Sequence, residues 1–134
     1  MQVLIIPKTN LTPEIILDPV NFLFEINGES RPENVNKFFD PVVKWLDEFA
    51  FQIIDKKNKD ANYNCCFTFV FKLEYFNSSS IKFVYDILKK LEEINESTKC
   101  IEIDWYYDSS DDDMHENGVE FSKIINIPFS IVKK

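Results

Sequence analysis

The sequence holds only two glycines, Gly28 and Gly118, and they lie far apart. No loop can therefore gather successive backbone amides around a phosphate, as a P-loop or a dinucleotide fingerprint requires. Histidine occurs once, at His115. That excludes an HExxH pair and a zinc site of two cysteines and two histidines, and it leaves at most one place for a histidine-dependent triad. Cysteine is scarce as well. Cys65, Cys66 and Cys100 are odd in number and show no CxxC spacing, which argues against a disulfide framework or a thiolate metal site and points to a reducing cytoplasm. Cys65 and Cys66 read as small packing residues at the head of a strand. No hydrophobic run approaches the roughly 20 residues of a membrane span, and Met1 to Pro7 lack the basic and long apolar regions of a signal peptide. Positive charge is outnumbered, with 15 Lys and Arg against 23 Asp and Glu for a net charge of −8. Such a surface repels phosphate backbones and anionic headgroups, so neither nucleic acid nor a membrane is an expected partner.

What is present is material for one core. Across 134 residues, 45% hydrophobic and 28% charged, the composition fits a single folded domain spanning 1–134. Strands are expected at Val3–Ile6, Glu14–Leu17 and Phe22–Ile26, the last two joined as a hairpin by the turn Asp18-Pro19-Val20-Asn21. Ser30-Arg31-Pro32-Glu33 has the form of a capping box. The stripe Val35, Phe38, Phe39, Val42, Leu46, Phe49, Ala50 and Ile53 then predicts a helix, kinked or broken at Pro41, with a polar loop over 55–64. Cys66–Tyr75 alternates as a strand, with Phe67, Phe69, Phe71 and Leu73 on one face. The serines after Asn77 cap a second helix marked by Ile81, Val84, Leu88 and Leu91. Cys100–Tyr107 alternates again, Asp111–Ile125 can form a third helix burying Met114, Phe121, Ile124 and Ile125, and Phe129–Val132 closes the chain as a strand. The order β-β-β-α-β-α-β-α-β implies an α/β domain with a mixed sheet flanked by helices, the helix-separated strands pairing in parallel.

Three features could carry function. The acidic run Asp108–Glu116 comes nearest to a calcium loop starting at Asp113, but the twelfth position, which needs a bidentate acid, is Ile124. A metal-dependent hydrolase using Asp111, Asp113 and His115 is the reading it would support. An interface is suggested by Tyr106, which alternates outward, and by Phe76, just past a strand end. The third feature is the strand-to-helix junction Leu73-Glu74-Tyr75-Phe76-Asn77-Ser78-Ser79-Ser80, where a helix N-terminus favours added negative charge and a phosphorylated serine would fit. A plain serine cap is the competing explanation there.

Five pieces in register, Thr12-Pro13, Gly28-Glu29-Ser30-Arg31-Pro32-Glu33-Asn34, Phe38-Phe39-Asp40-Pro41, Leu73–Ser80 and Trp105-Tyr106-Tyr107-Asp108 with the Asp-rich stretch after it, resemble the motifs of the SiaC family of bacterial regulatory phosphoproteins. The resemblance implies a fold similar to STAS-type anti-sigma-factor antagonists. It also implies a non-enzymatic switch without cofactor, phosphorylated by a cognate kinase, restored by a phosphatase, and binding a partner such as a diguanylate cyclase when unphosphorylated. An anti-sigma-type kinase as main partner is the alternative within the same fold. The family's acceptor threonine corresponds to Ser78, with Ser79 as runner-up. The partner face implied comprises Arg31, Glu33, Asn34, Tyr75, Phe76, Asn77, Ser79, Ser80, Tyr106 and Asp108. Arg31 departs from the tyrosine usual before Pro-Glu-Asn.

Overall fold

The structure is a computed structural model describing residues 1–134. Its first three strands, β1 (Leu4–Ile6), β2 (Glu14–Asp18) and β3 (Leu23–Ser30), pair antiparallel. The β2–β3 turn is held by the Asp18 carboxylate, which accepts from the amides of Val20 and Asn21 at 2.9 and 3.0 Å. β3 then starts a parallel array with β4 (Phe67–Phe76), β5 (Ile101–Tyr107) and β6 (Phe129–Lys133), linked by α1 (Val35–Lys59), α2 (Ser78–Thr98) and α3 (Asp112–Ile124). The six strands lie side by side in sequence order. The element order is the one the periodicities predict.

The core lies between one face of the sheet and the helices. Phe24 and Phe69, and Phe71 and Trp105, are register partners on neighbouring strands. Above them, α1 sets Phe49 5.6 Å from Phe24, α2 stacks Phe83 on Phe39 of α1 at 5.2 Å, and α3 sets Phe121 5.6 Å from Trp105. All three helices thus cover the same face. The opposite face carries half-exposed residues such as Glu25, Val70 and Asp104 in one row.

Several expectations change. The Ser30-Arg31-Pro32-Glu33 box does not start a helix: Ser30 is the last residue of β3, and Asn34 caps α1 by accepting from the Lys37 amide at 3.1 Å. Pro41 lies inside α1 without ending it, because the buried stripe from Phe39 to Ile53 holds the helix against the sheet despite one missing amide donor. That helix continues to Lys59, into the segment expected as loop, with Lys56, Lys57 and Lys59 at the negative end of its dipole. Ile124 is 58% exposed, and the buried residues of the third helix and its C-cap are Met114, Gly118, Phe121 and Ile125. The cysteines also differ from expectation, since Cys66 and Cys100 form a disulfide and only Cys65 is a free, buried packing residue. Spacing in the sequence does not show this pairing, because it depends on the register that sets Phe67 opposite Ile101.

Glu92 on α2 supplies a test of tertiary anchoring. Its buried carboxylate accepts from Lys89 Nζ at 2.7 Å and from the Asn126 amide ahead of β6. These bonds, the Lys89 one foremost, hold it below the ordinary carboxylate pKa. A carboxyl depressed in the fold stabilises above its unfolded pKa, and the contribution is lost as pH falls through the folded value. Wild type should therefore exceed Glu92→Gln by on the order of 1 kcal/mol near neutrality, and thermal melts should show the gap narrowing as the pH falls below the ordinary glutamate range.

Candidate functional site at the β4–α2 junction

The junction is shaped by one extra residue. β3 alternates without interruption, burying Phe24, Ile26, Gly28 and Ser30, while on β4 the register steps from Gly28↔Leu73 to Glu29↔Tyr75 and leaves Glu74 unpaired. This bulge reverses the alternation beyond it. Tyr75 consequently faces outward at 42% exposure, and Phe76 turns inward, edge-on to Trp105 at 6.1 Å. The expectation of an exposed Phe76 is thereby corrected. Gly28, with φ +116°, occupies a conformation reserved for glycine, and a Cβ there would lie 2.9 Å from Lys8 Cε.

Past Phe76 the chain enters α2 through Asn77, not through a serine cap. Asn77 Oδ1 accepts from the Ser80 amide at 3.0 Å, from Ser80 Oγ at 2.8 Å and from Ser79 Oγ at 2.9 Å. The Asn77 amide donates to the Ser30 carbonyl at 3.0 Å, and the Ser30 and Ser80 hydroxyls meet at 2.9 Å, both fully buried. Ser80 is therefore a structural hydroxyl joining β3 to α2 and presents nothing to a partner. Ser78 and Ser79 are exposed on the first turn, where amides lack helical acceptors.

Around this turn the structure gathers some of the sequence-selected residues and separates others. The Arg31 guanidinium lies 4.3 Å from the Tyr75 ring centroid and its Nε lies 3.4 Å from Glu29. Arg31, Tyr75, Asn77, Ser78 and Ser79 thus share one end of the β3–β4 pair. Glu33 and Asn34 line a different hollow, at the start of α1 beside Thr9, Leu11 and Thr12. Tyr106 lies on the helix-free face of the sheet with Lys72 Nζ 5.3 Å from its ring centre. Asp108 is exposed after β5, its carboxyl held below the ordinary range by the amide and hydroxyl of Ser110.

Beside the junction lies a groove of about 460 Å³ lined by Glu74, Tyr75, Phe76, Asp111, Asp113, Met114, Glu116, Asn117 and Glu120. Asp111 is engaged as the α3 cap, accepting from the Met114 amide at 3.0 Å. His115 is outside this lining and packs its ring 4.6 Å from Tyr107. Asp111, Asp113 and His115 therefore do not share a site, and no three His, Cys, Asp or Glu side chains converge in metal-holding geometry. Sequence reasoning missed Glu120, took Glu116 only as the end of the acidic run, and took Ser30 as a helix cap instead of a strand-to-helix link. Signals for them existed: Ser30 continues the period-two run from Phe24, and Asp113, Glu116, Asn117 and Glu120 fall on one helical face.

The model of the SiaC family regulatory phosphoprotein matches residues 6–134. The chain belongs to the SiaC family. This is a family of regulatory proteins, not of enzymes. An uncharacterized protein of Pseudomonas aeruginosa strain UCBPP-PA14 is 31% identical over 131 residues, covering 98% of this chain and 96% of its own. Among solved structures, the diguanylate cyclase SiaD in complex with its activator SiaC from P. aeruginosa matches with a TM-score of 0.82 at 30% identity, over 98% of this chain and 99% of the other. SiaC of P. aeruginosa matches with a TM-score of 0.80 at 30% identity, over the whole of both chains. The SiaC fold is thus that of the present domain. No helix in it is long and apolar enough to cross a membrane.

Proposed function

We propose that this SiaC-family protein is a cytoplasmic partner switch, which binds and regulates a diguanylate cyclase when unphosphorylated and releases it when a cognate kinase phosphorylates Ser78. A phosphatase resets it. The observation that carries the choice of residue is the division of labour among the three serines. Ser80 is buried against Ser30, and Ser79 Oγ is engaged by Asn77, whereas Ser78 is exposed and outside this network. A phosphate on Ser78 adds roughly −1.5 to −2 charges beside the first-turn amides, which favour an anion, so the free protein can carry it without refolding. The solved complex of P. aeruginosa SiaC with a diguanylate cyclase supports the class of partner.

Phosphate mapping tests the assignment. Incubation with ATP and kinase-containing lysate of the source cells should phosphorylate wild type and Ser79→Ala and leave Ser78→Ala unmodified. Loss confined to Ser79→Ala would move the acceptor to Ser79, and equal labelling of all three proteins would remove the junction from the reading.

A further inference from the structure

We propose that Cys66 and Cys100 form a reversible oxidation site that takes a low-molecular-weight disulfide of the glutathione class as its oxidant. This inference does not depend on the assignment of Ser78. Cys66 precedes β4 and Cys100 precedes β5, and the register Phe67↔Ile101 brings the two side by side with Cα atoms 4.9 Å apart. Cys66 is exposed and Cys100 half-buried. An external disulfide can therefore reach the first sulfur, and the second is in place to resolve the mixed disulfide. The adjacent Cys65 is buried, and burial raises its thiol pKa, so it does not compete as a thiolate.

Within the disulfide, Cys100 Sγ lies 3.5 Å from Asn64 Oδ1 and 3.6 Å from the Cys65 carbonyl, so on reduction a thiol held at this position has two oxygen acceptors within reach. In the reaction the Cys66 thiolate attacks one sulfur of the oxidant and expels one thiol. Cys100 Sγ then attacks Cys66 Sγ and expels the second. One sulfur–sulfur bond breaks for the one formed in the protein. The two cysteine protons end on the two released thiols, and the oxidant takes up the two electrons.

The position of the bond gives the oxidation a consequence. Separated by 34 residues, the two sulfurs close a covalent ring containing the whole of β4, Asn77, Ser78 and α2. Oxidation thus braces the unit that carries the candidate site, from the opposite end of its strands. Closing a loop of this length is expected to raise Tm by about 10 °C.

The test uses the intact protein, equilibrated with oxidised glutathione or with dithiothreitol, then assayed by thiol counting, peptide mapping and thermal melting. Expected are one free thiol and a Cys66–Cys100 linked peptide after oxidation, three free thiols after reduction under native conditions, and the Tm difference just given. Cys65→Ser should keep the difference, and Cys66→Ser and Cys100→Ser should each abolish it. Three free thiols after oxidation, a linkage involving Cys65, resistance to native-state reduction, or equal Tm values would each overturn the proposal.

Discussion

Phosphoserine installed at position 78 is expected to weaken binding of the effector cyclase by roughly two to four decades while leaving the stability of the free protein nearly unchanged. In the free domain the dianion sits on the positive end of α2 and in water, so little opposes it. A partner seated over the junction removes that water. The groove that runs from Glu74, Tyr75 and Phe76 at the end of β4 is also lined by Asp111, Asp113, Glu116 and Glu120, and none of these carboxylates can pair with a phosphate. Arg31 is already drawn to Glu29 and Tyr75. An unpaired charge buried at an interface costs about 3 to 5 kcal/mol, which converts to the stated loss at roughly 1.4 kcal/mol per decade. Titration calorimetry of unmodified and phosphoserine proteins against the cyclase reads this directly. Equal dissociation constants would remove Ser78 from the interface. Tighter binding would mean that the partner supplies an arginine cluster, reversing the sign of the switch.

The largest stability effect should come from Trp105→Ala, a loss of about 3 to 5 kcal/mol, or on the order of 10 to 20 °C in Tm. Trp105 is fully buried and its ring centre lies 5.2 Å from Phe71, 5.6 Å from Phe121 and 6.1 Å from both Phe76 and Phe129. Its Nε1 donates to the Met114 carbonyl at 3.0 Å, so truncation leaves both a cavity and a carbonyl short of a donor. The same indole explains Gly118. A Cβ there would lie 2.5 Å from Trp105 Cδ1, and because the ring is hemmed in it cannot retreat. Gly118→Ala should accordingly cost about 1 to 3 kcal/mol through overpacking. Urea denaturation separates the outcomes, and a loss below about 1 kcal/mol for Trp105→Ala would show that α3 does not dock through this side chain.

Element order and core were legible in the sequence because both follow from periodicity. Phe67, Phe69, Phe71 and Leu73 at period two, and Val84, Leu88 and Leu91 at helical spacing, report which way side chains face before any tertiary contact is known. Phe76 was misread because the strand was taken to end at Tyr75, whereas a bulge at Glu74, which leaves no residue-type signature, carries the strand on to Phe76 and turns that ring inward. Ser30 and Ser80 were misread as caps because serine chemistry alone does not distinguish a hydroxyl bonding its own helix from one bonding a strand 50 residues away. The Cys66–Cys100 pair needed the β4–β5 register. What singles out Ser78 as the proposed acceptor is the motif around it, together with two facts only the fold supplies: Ser80 is buried, and the Ser79 hydroxyl is engaged by Asn77.

The sequence-ordered sheet has a consequence for synthesis on the ribosome. Each new strand joins an edge already formed, so no strand must be threaded between two others as the chain emerges. When Tyr107 has appeared, five of the six strands can be in place, and β5 is a temporary border. Trp105 then has Phe71 and Phe76 on one side, while Phe121 and Phe129 are still to be translated. The largest fully buried side chain is thus still open on one side at that stage, and a chain stalled before α3 would display an open indole pocket to the quality-control machinery of the cell.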